Sequence, residues 1–361
     1  MIKIGLIGCG KIADSHAEQI QRIPFAEIVS ACDREELMAK QLFERFKIKN
    51  YYSNVERMLE TAQPDVVHIT TPPQSHFELG KLCLEAGCHV YMEKPFTVNT
   101  EEAKRLIAIA DENKRKITVG HDYQFTHAKR RMREFIKNGY LGGPAVHMES
   151  YHCYELGSES YARALLGDKK HWVRMLPGTL MHNNINHGIS SITEYLTDSD
   201  PKVIAYGYSS PFLRKMNETD IIDEARVIIS EKESTSAYFT FSSQMRPVLH
   251  QFRIYGPQNA LMVDHDQQTC IRIRGAKYQS YLEKFVAPAV FAKQYVGETA
   301  RNVGLFLKKD FHMKSGMKYL IESFYRSILE DSPLPISHRE ILLTSKIMDE
   351  IFAQLKSHRN G

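Results

Sequence analysis

The hexapeptide Gly8-Cys9-Gly10-Lys11-Ile12-Ala13 constrains the fold more than any other stretch of the chain. It follows the apolar run Ile2–Ile7 and opens a segment of helical spacing, Ile12–Ile20. The pattern is G-x-G-x-x-A between a strand and a helix. Its first glycine permits a tight turn, and its second lets the backbone approach a pyrophosphate. The small third residue lets helix and strand pack closely. Unpaired N–H groups at the helix start favour an anion there. Asp33 stands twenty residues beyond Ala13, at the end of the next apolar run, placed for ribose hydroxyls. Its charge disfavours a 2′-phosphate and so favours NAD, while Arg34 beside it leaves NADP open.

Four more apolar runs follow: Ile28–Cys32, Val66–Ile69, Cys88–Met92 and Ile117–Val119. They alternate with helical patterns over Glu35–Phe46, Val55–Thr61, Phe77–Ala86 and Glu101–Glu112. Ser53 with Glu56, and Asn99 with Glu102, fit capping boxes. Strands alternating with helices predict βαβ units and a parallel sheet. Beyond residue 122 the pattern changes. Extended runs at 145–153, Val203–Tyr208, Ala225–Ser230, Ser236–Phe241, Phe252–Tyr255 and Ile271–Arg274 predict an antiparallel sheet. One helix is expected at 179–197, and two more at 316–330 and 338–356. The expected fold is therefore α/β plus α+β. A Rossmann domain spans 1–122, and a second domain on an open, mostly antiparallel sheet spans 123–361.

With 47 Lys+Arg against 43 Asp+Glu, the net charge of +4 is too mild for a nucleic-acid or membrane-surface protein. No apolar run approaches the ~18 residues of a membrane span. The N-terminus begins on a strand pattern rather than a signal peptide, so a cytoplasmic location is expected. Six cysteines lack C-x-x-C spacing and read as buried thiols, with no metal site expected.

Two further segments follow apolar runs: Thr71-Pro72-Pro73-Gln74-Ser75-His76 and Glu93-Lys94-Pro95. Both therefore fall at carboxyl ends of parallel strands, where open α/β sheets bind ligands. Position alone leaves Lys94 open between a surface lysine and a site residue. Gly8 to Ala13, His16, Thr71-Pro72-Pro73 and Glu93-Lys94-Pro95, taken in this order, resemble the Gfo/Idh/MocA family of NAD(P)-dependent oxidoreductases over nearly the whole chain. The resemblance implies hydride transfer on a sugar, sugar nucleotide or polyol, with Lys94 at the nicotinamide and substrate. It also implies cofactor contacts from Gly8, Gly10, Lys11, Ile12, Asp33, Arg34, Thr71, Pro72, His76 and Glu93.

The family's third signature is an aspartate and a histidine four residues apart on a helix. Here the registers are Asn183 with His187, or His182 with Asn186. Met181, Ile185, Ile189, Ile192 and Leu196 form one apolar arc; Asn183 and His187 fall opposite it, facing a cleft or solvent. The resemblance favours the cleft, with His187 as general acid/base and Asn183 replacing the aspartate. It further assigns Tyr123, Trp172 and Arg174 to the substrate and implies a homodimer or homotetramer through the second sheet. Two rival readings stand beside the oxidoreductase: an NAD-recycling lyase or hydrolase, and a non-catalytic dinucleotide-binding regulator. The aromatic-rich segment 275–315 is expected to be ordered, covering the site or forming an interface.

Overall fold

The computed structural model describes residues 1–232, 234–276 and 281–357. They form two units, Met1–Asp122 with Gly316–Asp349, and Tyr123–Ser315 with Glu350–Gly361.

In the first unit the chain runs β1 (Ile2–Ile7), α1 (Lys11–Ile20), β2 (Ala26–Cys32), α2 (Glu36–Phe46), β3 (Asn50–Tyr52), α3 (Val55–Ala62), β4 (Val66–Ile69), α4 (His76–Glu85), β5 (His89–Met92), α5 (Thr100–Glu112) and β6 (Ile117–Val119). The sheet order is β3-β2-β1-β4-β5-β6, and every pairing is parallel. β4 and β6 are buried throughout, as strands covered by helices on both faces must be. The Asn54 and Asn99 side chains accept the N–H groups of Arg57 and Glu102, capping α3 and α5.

The second unit contains α6 (His127–Lys137), β7 (His147–His152), α7 (Glu159–Leu166), α8 (Thr179–Asn184), α9 (Asn186–Thr193), β8 (Lys202–Tyr208), α10 (Pro211–Lys215), β9 (Glu224–Ser230), β10 (Ser236–Ser242), β11 (His250–Tyr255), β12 (Asn259–Asp264), β13 (Thr269–Arg274) and α11 (Tyr281–Leu307). Its sheet order is β13-β12-β11-β7-β10-β9-β8, antiparallel except for β7 with β10. One face buries Val203, Val227, Ile229, Ala237, Phe239 and Phe241. α9 lies close on this face: a Cβ on Gly188 would stand 2.2 Å from the Phe239 ring. The other face exposes Ile204, Tyr206, Ile228 and Tyr238.

Two expectations need correction. The second domain is not the continuous stretch 123–361. After α11 the chain returns to the first unit as α12 (Ser315–Leu329) and most of α13 (His338–Ser357). Leu320, Ile321, Phe324 and Tyr325 are buried there, and Asp349 accepts both the amide and hydroxyl of Thr100. The helix expected at 179–197 is broken at Ile185 into α8 and α9. The side chains of Asn184 and Asn186 bond back to the carbonyls of Leu180 and His182, a competition with the helical ladder that favours such a break. The segment 275–315 is mostly the helix α11, with its residues 277–280 outside the described residues. Gln294 of α11 both donates to and accepts from the Arg272 backbone, and Asn302 donates to the Gln267 carbonyl, so side chains cover the edge strand β13.

Candidate functional site

In the first unit the glycine turn leaves β1 with Gly8 at φ +90°, in the left-handed region. A Cβ there would stand 2.7 Å from Thr71 Cγ2 and 2.8 Å from the Thr71 nitrogen, so only glycine fits. The Thr70 hydroxyl donates to the Gly8 carbonyl at 2.5 Å. Gly10 precedes α1, which has no side-chain cap, and a Cβ on Gly10 would meet nothing within 4 Å. The helix start thus offers open space and uncapped N–H groups, which suits a pyrophosphate. Asp33 Oδ2 accepts the Cys9 amide at 2.7 Å, and its Oδ1 accepts that of Glu35 at 2.9 Å. Each oxygen keeps a lone pair for a ribose hydroxyl. Lys11 and Arg34 are exposed, and Ile12 is half-buried. Burial, followed by the Asp33 charge, pushes the Cys9 thiol up to about 12, so it stays protonated.

Thr71 is half-buried and Pro72 exposed at the end of β4. His76 is wholly buried, its ring nitrogens 2.8 Å from the Thr71 carbonyl and 2.9 Å from that of Pro95. Burial lowers its pKa despite these bonds, so the neutral ring donates to one carbonyl at a time. Its polar atoms are spent on joining two loops, so the expected cofactor contact becomes an architectural one. Glu93 directly follows β5 and is buried. Burial would raise its pKa, but the hydrogen bond from His16 and the neighbouring Lys94 outweigh it, and the net direction is down. Lys94 follows, half-buried and joined to Pro95 by a cis bond. Glycine turn, Asp33, Thr71 and Glu93-Lys94 all stand at carboxyl ends of strands of one sheet.

In the second unit Tyr123 sits among four histidines. Its ring centroid is 4.4 Å from that of His187, 5.0 Å from His265, 5.3 Å from His152 and 6.0 Å from His250. His152 and His187 are 5.1 Å apart. His250 lies directly opposite His152 in the β11–β7 pairing, and its Nδ1 is 2.9 Å from Asp266 Oδ1. Burial, then Lys129, then His250 depress the pKa of His265 to about 3, so its ring is neutral. Asn183 and His187 are both half-buried, whereas His182 and Asn186 are turned inward, His182 stacked on Phe352. The register expected from the resemblance is therefore the one that leaves its side chains accessible.

Arg174 departs from expectation. Its guanidinium donates to Glu218 at 2.9 Å and to the Leu166 carbonyl at 2.7 Å, with Asp220 at 3.4 Å. With two carboxylate partners it is an anchor for the 218–220 loop rather than a free cation for substrate. Trp172 packs against the cluster of Leu156, Leu166 and Val173, and is half-buried. Sequence reasoning missed His152, His250 and His265, which converge from separate strands and loops with no shared spacing. In the first unit it missed His68 and Tyr325. A polar residue inside the apolar run Val66–Ile69 was the available signal for His68. Among the described residues no group of three His, Cys, Asp or Glu side chains is placed to hold a metal ion.

Residues 2–121 match the model of the Gfo/Idh/MocA oxidoreductase family, NAD-binding Rossmann fold. D-glucoside 3-dehydrogenase of Escherichia coli is 30% identical over 142 residues, 39% of this chain and 40% of that protein. Myo-inositol 2-dehydrogenase of Thermotoga maritima is 22% identical over 345 residues, 88% of this chain and 98% of that protein. The WlbA dehydrogenase of Bordetella pertussis, solved with NADH and UDP-GlcNAcA, shares the fold with a TM-score of 0.78. It is 17% identical, with 99% of this chain and 96% of that one covered. The glycine turn and the Thr71-Pro72-Pro73 and Glu93-Lys94-Pro95 segments all lie within the matched stretch, so residues 2–121 are similar to the NAD-binding Rossmann domain of the Gfo/Idh/MocA oxidoreductases.

Proposed function

We propose that the chain is an NAD-dependent dehydrogenase that moves a hydride between nicotinamide and a carbinol or keto carbon of a sugar, sugar nucleotide or polyol. The observation that carries this reading is His187, half-buried against Tyr123 and His152. A carbinol loses its O–H proton as its hydride leaves, and an imidazole is suited to take that proton near neutral pH. The names of the relatives, a glucoside dehydrogenase and an inositol dehydrogenase, support a polyhydroxylated substrate.

NAD supplies the hydride acceptor. The backbone at Gly8, Gly10, Lys11 and Ile12 would hold its pyrophosphate, and Asp33 its ribose. Asp33 is fixed by two backbone donors and repels a 2′-phosphate, which supports NAD over NADP. Lys94 donates a hydrogen bond to the reacting oxygen, His187 takes or returns the proton, and Tyr123 and Asn183 orient the substrate. Asparagine in place of the family's aspartate can orient His187 but adds no charge to stabilise its imidazolium. The six buried free cysteines suit a reducing compartment, the cytoplasm. No helix among the described residues is long and apolar enough to cross a membrane. The exposed Ile204, Tyr206 and Tyr238 support assembly through the open face of the second sheet.

The test is reduced-nicotinamide absorbance over a panel of sugars, polyols and nucleotide sugars with NAD and NADP. With an active substrate, His187→Ala should lower kcat by roughly 10²–10⁴-fold and leave the NAD KM unchanged. Unchanged turnover would overturn the assignment of His187.

A further inference from the structure

The core of the first unit holds an unbroken row of polar side chains. Tyr325 Oη on α12 lies 2.7 Å from His68 Nε2 on β4. His68 Nδ1 lies 2.8 Å from His16 Nδ1 on α1. His16 Nε2 lies 2.9 Å from Glu93 Oε1, and Glu93 Oε2 accepts the Lys94 amide at 3.1 Å. His16, His68 and Tyr325 are wholly buried, and Glu93 is 6% exposed. Tyr91 stacks on His68 at 4.5 Å between ring centroids and closes one side of the row. A buried polar group is costly unless paired, so a row this deep in the core needs every bond made.

Proton counting gives the row a direction. The Glu93 carboxylate has no proton to give, so His16 must donate to it from Nε2. A neutral His16 then accepts at Nδ1, and the donor there is His68 Nδ1–H. Burial keeps His68 neutral, so its Nε2 accepts from the Tyr325 hydroxyl. Each donor meets an acceptor, and every proton points toward Glu93. The opposite arrangement, with an extra proton on His16, would reverse two of the bonds. It would leave the Tyr325 hydrogen without an acceptor among the described residues.

We propose that Tyr325, His68 and His16 form a directed hydrogen-bond relay that fixes the Glu93 carboxylate and, through its bond to the Lys94 amide, positions the lysine of the reaction. The claim about Lys94 rests on the dehydrogenase reading above. His16, His68 and Tyr325 are positioning residues. The relay also gives α12 a reason to return to the first unit, because it delivers the terminal hydroxyl from 257 residues beyond His68.

The direction has a signature independent of activity. In the substrate-free protein with ¹⁵N-labelled histidine, His16 should carry its proton on Nε2 and His68 on Nδ1. Identical tautomers on the two rings, or the reverse assignment of both, would overturn the relay. Positioning is read separately with Tyr325→Phe, which removes only the terminal donor. Loss of one buried hydrogen bond, felt at the reacting lysine, should lower kcat by up to about tenfold while NAD affinity stays unchanged. Unchanged kcat overturns the positioning of Lys94, and loss of NAD affinity reveals a general folding defect instead. A silent substrate panel would count against the dehydrogenase reading, whereas the tautomers would still decide the relay.

Discussion

Replacing Lys129 by methionine tests the electrostatics of the second unit. Lys129 lies wholly buried on α6, its ammonium 3.6 Å above the Phe252 ring and 3.5 Å from Glu194 Oε2. Arg133 also holds Glu194, at 2.5 Å. Burial, only partly offset by Glu194, lowers the lysine pKa from 10.5 to about 8. Glu194 also moves down, because burial, which would raise it, is outweighed by Lys129 and Arg133. The two directions are compatible: the lysine has one carboxylate to offset its burial, and the carboxylate has two cations. Both groups are charged at neutral pH. An unfolded lysine stays protonated to about pH 10.4. Between pH 8 and that value the unfolded chain holds more protons than the native one. Stability therefore rises with pH across the window, and the full cost of the buried charge is present below it. At about 1.4 kcal/mol per pH unit, the cost is about 3 kcal/mol. Methionine keeps most of the length and cannot titrate. The wild-type stability minus that of Lys129→Met should climb by about 2–3 kcal/mol from about pH 7 to about pH 10, other titrations cancelling between the two proteins. Trp172, the only tryptophan, belongs to the second unit, so its fluorescence during urea unfolding follows that unit. A difference that is flat or falls with pH would refute the reasoning. The same ammonium helps hold His265 near 3. In the variant the His265 ring should titrate at higher pH, as read by NMR.

Three further outcomes follow from the geometry. Gly8→Ala places a Cβ 2.7 Å from Thr71 Cγ2 at a positive φ. With about 1–2 kcal/mol of backbone strain alone, it should weaken NAD binding by roughly tenfold or more in a calorimetric titration, and an unchanged Kd would refute the cradle. Arg174→Met strands Glu218, whose side chain is only 12% exposed. It should cost about 3 kcal/mol in urea unfolding and leave the substrate KM unchanged; a raised KM at full stability would return Arg174 to the substrate. Ile204→Lys with Tyr238→Lys should convert an oligomer to monomers in sedimentation, whereas a wild type that is already monomeric would refute assembly through that face.

Local patterns made the cofactor side of the site legible, and long-range pairing hid the rest. The glycine turn, Asp33, Thr71 and Lys94 each sit within a few residues of a strand end, so strand spacing alone brings them to one edge of the sheet. Hydrophobic period misled at Ile185. Met181, Ile185, Ile189 and Ile192 keep one apolar arc through the break, because all four still face the core. The apolar arc records which side is buried, and the asparagine side chains that divide the helix lie outside it. Arg174 stands four residues before Gly178 in sequence, yet its partners Glu218 and Asp220 lie 44 and 46 positions away. A cation beside a predicted site turn reads as a ligand contact until its carboxylates are found, and no local spacing reveals them.

The histidines show the same limit from the other side. His152 and His250 become neighbours only through the register of β7 with β11, and His265 arrives by the turn after β12. Around Tyr123 they convert His187 from one polar residue on a helix into part of a shared environment, with a neutral His265 against the same tyrosine. In the first unit, His16 is visible in the opening motif, but its role depends on His68 and Tyr325. The parts of the site proposed for the cofactor come from contiguous turns. The parts that set the direction of a hydrogen bond or the charge of a ring come from side chains far apart in sequence. That division follows from the physics: a turn is specified by its own backbone, whereas the protonation state of a buried ring is specified by whatever packs against it.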